Sequence, residues 1–259
     1  MAPPTLARVE TPARAESQPE IKGILGTVRN ATLLLELLAR GPAFQSVTAL
    51  AEQSGLSIAT AHRVLKSLAQ AGLVRQSRQS LGYGLGPGLL RLSERYLGEL
   101  PALRALSPFL VELRNLTAAT IEVNVAVQGD VICVDRVDGA GRPGVFRQPH
   151  RRRRAVDSAA GRGLLAHDPA LGDEDEPIGA DEARRRKEWA ASSFVCFVPE
   201  GSQELEVAVP VRSRSGDVVA ALTATAAVTE PGAIDEMAGE LARHLTRAAE
   251  AVRGGVPDE

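Results

Sequence analysis

The sequence predicts an α+β chain of two domains, a winged helix-turn-helix near the N-terminus and a larger domain of helices on a mostly antiparallel sheet, joined by linker helices. Three observations carry this reading. Apolar residues recur at three- and four-residue steps in successive short segments between residues 27 and 71, each opened by a Ser or Thr. A polar turn between two short strand-like runs follows them. Beyond residue 116 the pattern changes to strands interleaved with helical stretches. A chain of 259 residues is also long enough for two domains that each bury a core.

Residues 1–20, rich in Pro, Ala and Glu without an apolar period, read as a flexible tail. The DNA-binding-like segment is assigned to residues 21–86. Its first helix starts at Thr27, with Val28, Ala31, Leu34, Leu35 and Leu38 on the buried face, and ends at Gly41-Pro42. The second runs from Val47 to Ser54 behind Ser46, with Val47, Leu50 and Ala51 inward and Gly55 turning left-handed after it. Ser57 caps the third, which extends to about Ala71; Ile58, Ala61, Leu65 and Leu68 form its apolar stripe. The runs Leu73–Gln76 and Gly82–Leu85 flank the turn Ser77-Arg78-Gln79-Ser80 as the strands of a wing.

Residues 87–115 are assigned to linker helices, Leu89–Leu97 and one opened by Pro101. Residues 116–255 form the second domain. Ile121–Val127 and Val131–Val137 read as strands joined at Gln128-Gly129-Asp130, and Ser158–Ala166 as a helix. The charged stretch 168–188 reads as a loop with at most one exposed helix. Phe194–Val198, Leu205–Val211 and Val218–Ala226 are strands, and Ala233–Val252 is an amphipathic closing helix.

Composition excludes several classes. Hydrophobic residues make up 44% and charged residues 24%, the balance of a globular protein. There is no run of eighteen apolar residues and no signal-peptide pattern, so the cytoplasm is expected and a membrane partner is not. Cys133 and Cys196, far apart and outside any Cys/His cluster, read as core thiols, and no metal site, cofactor or catalytic constellation is indicated. The formal charge of −2 is unevenly spread: residues 21–95 hold nine basic residues against three acidic, a net +6, and residues 96–259 carry −7. A basic binder precedes an acidic domain.

Reading DNA in the major groove requires a helix anchored on one side and presenting short polar and basic side chains on the other. The third helix meets this. Ser57 and Ala59 lie at its start, Thr60 and Arg63 one turn apart, and Lys66 one turn later. Arg63 suits a bidentate contact to guanine, Thr60 a thymine methyl or phosphate, and His62 or Lys66 the backbone. Arg75 and Arg78, at the wing, suit phosphates or the minor groove. One such helix alone would be compatible with an ordinary bundle; two capped helices, the Gly turn and the basic hairpin together point to double-stranded DNA.

The stretches TVRNATLLLELL (27–38), VTALAEQSGL (47–56), SIATAHRVLKSL (57–68), YGLGP (83–87) and SRSGDVVAAL (213–222) resemble the IclR family of bacterial regulators. The resemblance implies a linker helix that dimerises, a GAF-like C-terminal domain binding a small-molecule effector, often an organic acid, and a homodimer or tetramer on a palindromic operator, more often as a repressor. It also implies an effector site at the small-residue turn Ser158-Ala159-Ala160-Gly161 opening a helix, whose free N–H groups suit a carboxylate; a tight helix start packed on the sheet fits the same residues. In this sequence Glu206 stands where many members have Cys or Ser, and Cys196 falls near a common Asp. A carboxylate there would repel an acidic ligand.

Two alternatives stand beside a ligand-responsive regulator. One is an enzyme, for which His150, His167 and His244 are too scattered; the other is a regulator whose C-terminal domain only oligomerises. The basic run Arg147–Arg154 reads as a solvated loop, or as the partner of an acidic ligand or of the acidic stretch 173–176.

Overall fold

The computed structural model describes residues 26–127, 129–140, 152–168 and 180–256. The tail 1–20, Arg147 to Arg151 and the first part of the charged stretch, including 173–176, lie outside the described residues. The chain divides into two compact units between Arg95 and Tyr96.

The first unit opens with α1 (Gly26–Arg40), α2 (Val47–Ser54) and α3 (Ile58–Gln70), followed by β1 (Val74–Gln76) and β2 (Tyr83–Leu85). Leu34 and Leu38 of α1, Leu50 of α2, Val64, Leu65 and Leu68 of α3, and Val74 and Tyr83 of the hairpin form one core. Two expected inward residues are outward. Val28, in the first turn of α1, is 55% exposed, and Ile58, the first residue of α3, is 54% exposed; at a helix start no preceding turn of scaffold covers the side chain. Val64 takes the core position in α3 instead.

β1 and β2 pair antiparallel, Val74 opposite Leu85 and Gln76 opposite Tyr83. A third backbone segment joins them: the Gln45 N–H donates to the Tyr83 carbonyl at 2.8 Å and the Tyr83 N–H to the Gln45 carbonyl at 2.7 Å. The approach is close enough that a Cβ on Gly84 would sit 2.3 Å from the Ala43 carbonyl oxygen.

Helix α4 (Gly88–Glu99) contains the division between the units and has no buried residue. Its Leu90, Leu92 and Tyr96 are 71%, 55% and 58% exposed.

The second unit holds α5 (Pro101–Thr117), β3 (Thr120–Val127), β4 (Asp130–Val137), β5 (Arg152–Arg154), a 3₁₀ turn at Ala155–Asp157, α6 (Ala159–His167), α7 (Ala180–Ala191), β6 (Val195–Phe197), β7 (Glu204–Arg212), β8 (Val218–Ala227) and α8 (Ile234–Val252). The sheet runs β5-β4-β3-β8-β7-β6, antiparallel at every pair. Side chains alternate between its faces. Ile121, Val123, Leu205, Val207, Val209 and Leu222 point to one face, where α5 and α8 cover them with Leu106, Leu110, Leu241 and Leu245. Ala208 and Ala221 point to the other, under Ala160, Leu164 and Leu165 of α6.

The basic run is corrected in part: Arg152–Arg154 is an edge strand on β4 and not a solvated loop. Its partners are carboxylates of the same sheet, Asp130 for Arg152 and Glu206 for Arg153. Cys133 is buried as expected, whereas Cys196 is exposed, because β6 is the edge strand at the other end of the sheet.

Candidate nucleic-acid interface and sheet cleft

The helix-turn-helix is set by three local devices. The Ser46 hydroxyl accepts the Ala49 N–H at 3.1 Å, Gly55 adopts φ 68° after α2, and the Ser57 hydroxyl accepts the Thr60 N–H at 3.2 Å. Each side-chain cap satisfies an otherwise orphaned donor and is worth about 1 kcal/mol. The Ser57 hydroxyl also donates to Thr60 Oγ1 at 2.9 Å, so Ser57 and the Thr60 hydroxyl belong to the cap.

With Ala61, Val64, Leu65 and Leu68 turned into the core, α3 exposes Ile58, Ala59, His62, Arg63 and Lys66 along one stripe. The sequence reading places four of these correctly on the outer face and misses Ile58, counted there among core residues. An exposed Ile at the start of a recognition helix can contact a thymine methyl. In the wing, Arg78 sits in the exposed turn, where the Ser77 hydroxyl accepts the Gln79 and Ser80 N–H groups at 3.2 Å. Arg75 stands on β1 with its guanidinium 4.9 Å from the Phe44 ring centroid, a cation–π contact that aims an otherwise mobile side chain. Phe44 is thus a positioning residue that sequence reasoning missed.

In the second unit, the described residues cover the sheet face carrying α6 only in part. Beside the N-terminus of α6 the pleat brings Thr120, Glu122 and Asn124 of β3, Cys133 and Arg136 of β4, Arg153 of β5, Glu204 and Glu206 of β7, and Thr225 of β8 to one polar cleft. Its free volume is about 30 Å³, room for one or two waters. Glu122 and Glu206 are 7% and 5% exposed, and buried charges of this kind persist only when paired. Arg136 bonds Glu122 and Asp138, each at 2.7 Å. Burial opposes the Arg136 charge, but the Asp138 hydrogen bond and the Glu122 charge outweigh it and hold the guanidinium above its usual value. Glu206 takes Arg153 on one oxygen and the Ala159 N–H, at 3.1 Å, on the other. Asn124 donates to Thr223 Oγ1 at 3.1 Å. Burial, and then the Glu122 charge, push the Cys133 thiol up to about 12, so it stays protonated and inert as a nucleophile.

Of the residues assigned to an effector site, Glu206 lines this cleft and Ala159 reaches it through its backbone. Ser158 caps α6, accepting the Gly161 N–H at 3.0 Å, and Ala160 is fully buried in the core under the helix. Gly161 packs against the turn before it, where a Cβ would lie 2.1 Å from the Ala155 carbonyl oxygen. Cys196 pairs with Val207, which points into the opposite core, so the register puts it on the face away from Glu206. The N-terminal donor that suits an external carboxylate is taken up by Glu206 of the same chain.

Residues 27–78 match the family model of the IclR helix-turn-helix domain. The chain thus carries an IclR helix-turn-helix domain, and the proteins it resembles are transcriptional regulators. It is 26% identical to the HTH-type transcriptional regulator KdgR of Escherichia coli over 68% of this chain and 73% of that protein. It is 27% identical to the glycerol operon regulatory protein of Streptomyces coelicolor over 79% and 78%. Among solved structures, an IclR transcriptional regulator from Alicyclobacillus acidocaldarius superposes with a TM-score of 0.68 at 21% identity, covering 89% of this chain and 98% of that one. An IclR homologue from Microbacterium hydrocarbonoxydans complexed with 4-hydroxybenzoate gives 0.64 at 20% identity, covering 87% and 99%. These solved structures share the α+β fold of this chain, and the helix-turn-helix domain lies in its N-terminal unit. Among the described residues no helix is long and apolar enough to cross a membrane.

Proposed function

We propose that this chain is an IclR regulator that acts in the cytoplasm as a repressor and binds a palindromic operator as a homodimer or tetramer, its affinity modulated by a small molecule held in the sheet cleft. The observation that carries the DNA half is the α3 stripe, an anchored and capped helix whose outer face is Ile58, Ala59, His62, Arg63 and Lys66. One helix-turn-helix contacts few bases, and two-fold symmetry doubles them. The exposed Leu92 and Tyr96, one turn apart on α4, supply an apolar strip for such pairing.

Selection of duplexes from a random library by the full-length protein, followed by fluorescence anisotropy on the selected sequence, tests this. A palindrome is expected. Arg63→Ala should cost about 1 to 3 kcal/mol on it and relax preference at one position per half-site. A loss equal on selected and random duplexes would make Arg63 a phosphate anchor only.

The second reading, a C-terminal domain that oligomerises without sensing, is favoured by the small free volume of the cleft and by its internal ion pairs. A thermal-shift panel of metabolites separates the two, since a bound ligand raises the melting temperature by mass action.

A further inference from the structure

We infer that the sheet cleft is built for a small cation, an ammonium or guanidinium compound, that takes the place of Arg153 against Glu206. The inference rests on the reading of the cleft as the effector site and names the ligand class. Among the described residues, three carboxylates, Glu122, Glu204 and Glu206, line the cleft with two guanidinium groups, Arg136 and Arg153. Arg136 is committed to Glu122 and to Asp138 beside it. The two oxygens of Glu206 are divided between Arg153 and the Ala159 N–H.

An anionic ligand would therefore enter against carboxylates, with the helix N-terminus already engaged. To reach a guanidinium it would have to expel a carboxylate rooted in β3 or β7, which are interior strands paired on both sides. A cation has an easier course. Arg153 belongs to β5, a three-residue edge strand paired only with β4, and edge segments open at low cost. Withdrawal of Arg153 vacates the volume of a guanidinium group and leaves Glu206, buried on an interior strand, without its cationic partner. A buried carboxylate in that state draws a replacement cation strongly. Arg153 is thus a tethered stand-in for the ligand, and its presence explains why so little free volume remains.

The test uses the full-length protein with methylguanidinium chloride, n-butylammonium chloride and sodium butyrate at matched ionic strength and millimolar concentration, read by calorimetry and thermal shift. Arg153→Ala should bind methylguanidinium about tenfold more tightly than the parent, the scale of one charge-assisted hydrogen bond removed from competition. Butyrate should bind neither protein, and Glu206→Gln in the Arg153→Ala background should abolish the gain. If Arg153→Ala melts without cooperativity, Arg153→Gln, which keeps most of the stem, gives the same reading. Butyrate binding in place of the cations overturns the ligand class. Absence of binding by any probe to a cooperatively melting variant makes the Arg153–Glu206 pair a structural clamp and overturns the site. Anisotropy on the selected duplex separates this from the proposed regulation: cation binding that leaves DNA affinity unchanged sustains the ligand class and sinks the coupling.

Discussion

Ile58→Ala isolates the apolar part of DNA recognition, because it removes a side chain that does little for the folded protein alone. Fully burying an Ile is worth about 1.5 to 3 kcal/mol, and Ile58 in the free protein is 54% exposed. About half of that sum, roughly 0.8 to 1.6 kcal/mol, remains to be gained on docking against a thymine methyl, or about four- to fifteenfold in Kd. Fold stability should fall by no more than about 1 kcal/mol, since the partial burial lost is about half of the same sum and the higher helix propensity of Ala returns a few tenths of a kcal/mol. The assay is anisotropy on the selected duplex and on a variant with the contacted thymine replaced by uracil, which lacks the methyl, alongside a thermal melt. The affinity loss should appear with thymine and vanish with uracil. A loss independent of the methyl, or a destabilisation of the fold by about 2 kcal/mol or more, the scale of a core truncation, would refute the placement of Ile58 on the reading face.

Arg78→Ala, in the exposed wing turn, should lower the slope of log K against log salt by about one unit with sequence preference intact, measured by anisotropy across a salt series. Gly161→Ala should destabilise the second unit by about 1 to 3 kcal/mol or more in a denaturant melt, since its Cβ would lie 2.1 Å from the Ala155 carbonyl oxygen with only backbone to give way. His167 is half-buried with Nε2 3.4 Å from Arg212 Nη2, and burial and then the Arg212 charge hold its pKa below 6.5. Its neutral form is favoured by folding, so its contribution is present above pH 6.5 and is lost as the pH falls below it; His167→Gln should flatten that decline in acid melts.

The helix-turn-helix was legible because its signals are local: Ser46, Gly55 and Ser57 each act within three or four residues, and the structure uses them as caps and turn. Ile58 and Val28 were misread because periodicity identifies a face but not whether scaffold reaches the first turn above it. In the second unit the alternation in β3, β7 and β8 is visible in sequence, yet the partner of Glu206 lies 53 residues away on a strand of three residues that no periodicity announces. Cys196 shows the cost of register. One residue decides the face of a strand, and Phe197, opposite Glu206, holds the position on that side.

Helix α4 has twelve residues and none of them buried. Isolated helices shorter than about 12 to 15 residues are marginal in water, so α4 draws on free energy from beyond the helix, as where Leu97 packs on the core of the second unit. When a second copy supplies it, protein abundance becomes a variable in the folding of the regulator itself. Regulation would then respond to gene dosage more steeply than in proportion: halving the cellular amount of protein would remove more than half of the DNA-competent species.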